Sequence, residues 1–272
     1  MAVETRGEHT ARTEPAWDTS VPLETAAPQR GGGLLRVAVG RVTGALVVVM
    51  LLLALASLSL DLHRAHAGLQ DVPGLRLHDL DEEGNLPTFF SSLLLAFSAL
   101  LLLCIGFAVA DSEAREGRPW KALGAVFLYL AADEASRIHE YGCRLDALWL
   151  PDWGILNRRW VILGALFVLA MAAAFLPFVL RLPRDTRRRV LVAGAVFVGG
   201  ALGVEMACAA TFDAWAGTPA VIVLRNIEEV LEMLGIILFI NALLRHIGVH
   251  LGGLCVRVGV GLPPPAAPPA VS

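Results

Sequence analysis

Asp133-Glu134-Ala135-Ser136-Arg137-Ile138-His139-Glu140 closes an apolar run, Ala122 to Ala132, that otherwise reads as the start of a membrane-spanning helix. By insertion scales a charged side chain within a span costs roughly 2.5–3.5 kcal/mol, so each such intrusion marks a candidate functional residue. Two further intrusions follow the same pattern: Glu205, and the stretch from Arg225 to Glu232.

The composition around them is that of a membrane protein. Of 272 residues, 56% are hydrophobic and 17% charged, against roughly 45–50% and about 25% in soluble domains. The excess lies in long apolar runs. The expected fold is therefore all-α, a polytopic membrane bundle of six transmembrane helices. The spans are read at about 42–60, 88–110, 120–141, 160–182, 190–212 and 220–246. Residues 61–86 are expected as a polar loop, and Pro87 suits a helix start because its missing N–H would be unpaired there. Outside the domain at 37–247, residues 1–36 read as a disordered cytoplasmic tail and 248–272 as a disordered Gly/Pro-rich end. The net charge of −3, without a basic block, gives no sign of nucleic-acid binding. Four cysteines without a CxxC pair argue against a disulfide framework. Lys121 is the sole lysine beside 21 arginines, a bias typical of GC-rich bacterial genomes.

With the N-terminus inside, cytoplasmic segments hold fifteen Lys and Arg and outer loops five. The positive-inside rule then sets both ends in the cytoplasm. Counting ~1.5 Å per residue from the cytoplasmic ends puts Asp133 at ~18 Å, Glu205 at ~22 Å and Glu232 at ~20 Å. Glu140, Glu229 and Arg225 lie further out, so residues on three helices share one depth band between mid-membrane and the outer face. At 100° per residue Asp133, Ser136 and Glu140 share a face, flanked by Arg137 and His139, while Glu134 points elsewhere. Arg225, Glu228, Glu229 and Glu232 occupy one arc of the sixth span.

The cluster sets seven acids (Asp133, Glu134, Glu140, Glu205, Glu228, Glu229, Glu232) against two arginines and one histidine. Acids exceeding their partners in low dielectric must be protonated, reach water or ligate a cation. Carboxylates with an imidazole suit Fe, Mn or Zn, so the acids and His139 form a candidate metal-ligand pool, supported by Arg137, Arg225 and Ser136. A bound metal would activate water or oxygen towards a membrane lipid or another amphipathic substrate. Two other readings stand beside it: a proton- or cation-coupled transporter, and a non-enzymatic scaffold or sensor whose polar network sets helix register. The sequence leaves oligomeric state open.

Three stretches together resemble a group of uncharacterised bacterial multi-span membrane proteins. They are Leu86-Pro87-Thr88-Phe89-Phe90-Ser91-Ser92, the Asp-Glu-x4-His-Glu pattern at 133–140, and Glu228-Glu229-Val230-Leu231-Glu232-Met233-Leu234-Gly235. The resemblance covers about 40–247. It implies the architecture and the choice of residues, and carries no reaction.

Overall fold

The computed structural model describes residues 38–67, 76–80, 84–110, 115–138, 159–204, 206–207 and 218–253, with side chains of the fifth stretch from Gly164 onward. Among them there are six α-helices and no strand: α1 (Val39–Ala67), α2 (Leu86–Ala110), α3 (Gly117–Ser136), α4 (Arg159–Val179), α5 (Arg184–Val198) and α6 (Pro219–His250). A π-helical turn, Gly199–Val204, continues α5. The expected tail at 1–36, most of the tail at 248–272, the linker around Trp149 to Trp153 and the outer ends of the third and fifth spans lie outside the described residues. By length and composition α1 and α2 are able to cross a membrane. The charges of α3 (Arg118, Lys121, Asp133, Glu134) and the shortness of α5 keep those two helices from meeting the same measure.

Two boundaries differ from the sequence expectation. The polar stretch assigned to a loop from residue 61 is helical through Ala67, because its polar residues bond along the helix and to the following loop. Ser57 Oγ donates to Asp61 (3.2 Å), and Arg64 bridges Asp61 (3.4 Å) and Asp79 (2.9 Å). The third helix, expected to reach Tyr141, stops at Ser136, where Arg137 adopts a left-handed conformation (φ 54°) and its N–H bonds back to the Asp133 carbonyl.

Small residues let α2 and α3 approach closely as an antiparallel pair. Gly117 meets Gly106, Gly124 meets Leu103 and Ala99, and Ser92 Oγ donates to the Ala131 carbonyl (2.8 Å). Gly117, Gly124 and Ala131 recur every seventh residue, so they form one stripe on α3. Side chains larger than hydrogen at the glycines would push the backbones apart. Leu93, Leu100 and Phe107 form an exposed stripe along α2.

α1, α2 and α5 pack on α6. A second stripe of α3 faces it: Trp120 lies against His246 (centroids 4.9 Å) and Phe127 stacks on Phe239 (4.8 Å). α5 runs antiparallel beside α6, with Thr186 hydrogen-bonded to His246 and Phe197 pressed on Gly235. α1 also runs antiparallel to α6; Asn241 Nδ2 donates to Thr43 Oγ1 (2.8 Å) at one end, and both helices line one cavity at the other. Fully buried Leu94, Leu102, Ile105, Met233, Ile237, Ile240 and Leu243 fill the centre.

Candidate functional site

The acidic face of α6 meets the π turn. A Cβ built on Gly200 would lie 3.0 Å from the Glu228 carbonyl oxygen and 3.2 Å from the Glu232 amide nitrogen. Gly199 and Gly203 have open space instead, so the close approach belongs to Gly200. Glu228 is buried, and Glu229 and Glu232 are half-buried. A π turn inside a helix is a local widening often found at functional sites. Here it seats the backbone of α5 on the acidic segment of α6.

α3 carries Glu134 on the same stripe as its aromatic contacts with α6, Trp120 to His246 and Phe127 to Phe239. Asp133 and Glu134 are half-buried and Ser136 is exposed. Beyond α3, the Arg137 guanidinium lies over Gly84, where a built Cβ would come within 2.6 Å of Nη2.

Gly84 opens a network that sequence reasoning missed. Its N–H donates to Thr88 Oγ1 (3.2 Å), and Asn85 Oδ1 caps α2 by accepting from the Thr88 N–H (3.2 Å) and hydroxyl (3.1 Å). Asn85 Nδ2 in turn bonds the Asp79 carbonyl, and Leu80 N–H donates to Ser57 Oγ (3.0 Å). Asp79 then joins Arg64 on α1. Asp61, Arg64 and Asp79 line a cavity of about 320 Å³ with Ile222, Arg225 and Asn226 of α6. The Asn226 amide donates to the Ile222 carbonyl (3.0 Å), while its buried Oδ1 has no hydrogen-bond partner among the described residues. The available signal was Ser57-x3-Asp61-x2-Arg64, whose helical spacing puts the three on one face. His63 and His66 are exposed, and His66 Nδ1 bonds its own helix at Leu62.

Thus Arg225, Asn226, Glu228, Glu229 and Glu232 of α6 share one end of the bundle with Asp133, Glu134 and Arg137, and with the α1–α2 polar network. Each of Asp133, Glu134, Arg137, Arg225, Glu228, Glu229 and Glu232 takes part in a polar or electrostatic interaction. Among the described residues no three His, Cys, Asp or Glu are grouped to hold a metal ion. His139, Glu140 and Glu205 lie outside the described residues.

The opposite end is built differently. Trp120 is 5% exposed and wedged between Phe178 (5.0 Å, edge-on) and His246. It packs inward because Gly117 draws the start of α3 onto α2. His246 is buried, with Nδ1 3.1 Å from Thr186 Oγ1, and its ring lies 5.0 Å from that of His250. The i, i+4 spacing of His246 and His250 was the sequence signal for this pair.

A small-residue helical bundle with a charged layer at one end defines a class of architecture, not a reaction. The chain belongs to the DUF8692 family, a domain of unknown function, whose model matches residues 41–247. No curated protein and no solved structure matches the chain.

Proposed function

We propose that this chain is a multi-pass protein of a bacterial inner membrane, six spans with both ends cytoplasmic, that binds a cation in the outer half of its bundle. The apolar exterior supports immersion. Only 11% of the α1 apolar window is buried, whereas the core helix of a soluble protein would hide most of it. Val48, Leu51, Leu52 and Leu55 face outward along that helix.

The seating of the π turn on Glu228–Glu232 carries the site reading. It brings the backbone shortly before Glu205 in sequence onto the acidic segment of α6. The preferred occupant is a divalent or transition metal, Fe, Mn or Zn. Glu232, Glu229, Glu228, Asp133 and Glu134 would supply carboxylates, completed by His139, Glu140 and Glu205, with Arg137 and Arg225 orienting them. Metal analysis of purified protein tests this. Stoichiometric metal, reduced in Glu232→Gln and in His139→Ala, supports it; substoichiometric metal unchanged by both variants rejects it.

One observation favours the scaffold or sensor reading: every described acid of the cluster already has an interaction. Retained folding and unchanged phenotype after joint neutralisation of Glu228, Glu229 and Glu232 would select it. Proton- or cation-driven flux in proteoliposomes would instead select the transporter reading.

A further inference from the structure

The inner end carries a second cavity, of about 380 Å³, between α5 and α6. Asp185, Arg188, Arg189, Val192, Leu238 and Asn241 line it. The first two turns of α5 hold Arg184, Arg187, Arg188 and Arg189, with Asp185 the acid of the first turn. Arg187 and the preceding Arg181 are occupied, donating to the carbonyls of Leu180 (2.9 Å) and Pro177 (3.0 Å) at the end of α4. Asn241 is occupied too, giving Nδ2 to Thr43 and accepting Arg245 Nε at Oδ1 (3.1 Å). Arg188 and Arg189, both exposed, form no ion pair among the described residues.

The cavity is therefore amphipathic in a set order. Two guanidiniums stand at its rim, and Val192 lies a turn deeper on α5, with Leu238 of α6 also in the apolar wall. Leu191 and Val192, 42% and 49% exposed, continue that wall onto the outer surface of the bundle. An occupant must present an anion to the rim and an apolar chain to the wall. Basic pockets between spanning helices on the cytoplasmic side suit phospholipid headgroups, each Lys or Arg contributing about 1 kcal/mol.

We propose that this cavity is a binding site for an anionic phospholipid of the inner leaflet, its phosphate held by Arg188 and Arg189 and one acyl chain lying over Val192 and Leu238. The site is separate from the outer acidic cluster and rests on the membrane reading, which membrane extraction with alkaline carbonate tests by itself.

The test is native mass spectrometry of the full chain in detergent, titrated with phosphatidylglycerol, phosphatidylcholine and soluble glycerol phosphate. Phosphatidylglycerol adducts should persist where phosphatidylcholine adducts do not. The R188Q/R189Q double variant should bind phosphatidylglycerol roughly 30-fold more weakly, as expected for two contacts of about 1 kcal/mol each. R115Q/R118Q removes the same charge elsewhere and should leave binding unchanged. Val192→Trp, which fills the wall without altering charge, should also release the lipid. Equal loss in both arginine pairs would reduce the effect to general surface charge and overturn the proposal. Binding of glycerol phosphate as tight as that of the lipid would overturn it by making this a soluble-anion site.

Discussion

Gly200 approaches Glu232 so closely that a Cβ on the glycine would stand 3.2 Å from the glutamate amide nitrogen. That contact joins the π turn after α5 to the acidic segment of α6. Gly200→Ala must move backbone as well as the Leu231 side chain, which a built Cβ meets at 2.9 Å. The expected cost is about 1–3 kcal/mol from overpacking. Gly203→Ala, with nothing within 4 Å, should leave thermal stability in detergent near that of the parent. Equal effects at the two sites would refute the contact.

The Thr186–His246 hydrogen bond is buried and joins α5 to α6. Thr186→Val conserves shape but strands the imidazole nitrogen, at an expected cost of about 1–3 kcal/mol. Thr186→Ser should recover most of it, and Tm for the two variants in one detergent makes the comparison.

Gly84 holds φ +79° beneath the Arg137 guanidinium. Gly84→Ala therefore meets both a strained backbone and an occupied position, with an expected loss of about 1–3 kcal/mol. Adding Arg137→Ala should relieve the steric part and leave the backbone part. A double-mutant cycle by chemical denaturation separates them, and strict additivity would contradict the contact.

Arg64 is the cation shared by Asp61 and Asp79. Arg64→Gln brings the two carboxylates together without it, at an expected cost of about 1–3 kcal/mol. A second change, Asp79→Asn, removes the repulsion and should restore part of that loss. Tm in one detergent offers the readout, since the bridge ties Asp79 to α1.

The helical class and the placing of acids inside apolar runs were legible in the chain because both are one-dimensional properties. An apolar run of span length reads locally, as does an acid inside it, and counting at a fixed rise gives depth. Pro87 at the start of α2 was legible for the same reason. The polar end of α1 was misread as loop because Asp61, Arg64 and Asp79 stabilise that turn through a partner beyond the helix. A tryptophan near a span end, as Trp120 is, looks alike in sequence whether it meets lipid or a neighbouring ring, and packing set it against Phe178 and His246. Nothing in the order of residues distinguishes Gly200, which touches α6, from Gly199 and Gly203, which touch nothing.

What the sequence determined by itself was an all-helical chain with acidic residues set inside apolar runs, since hydrophobic length and charge placement need no partner to be read. Which face of each helix meets which neighbour was decided by tertiary packing. The two stripes of α3, glycine and alanine towards α2 and aromatic towards α6, share one helical period, and only interhelical distance sorts them. Packing likewise brought Asp61, Asp79 and Asn226 around a cavity, because contacts between distant segments depend on how closely the backbones can approach.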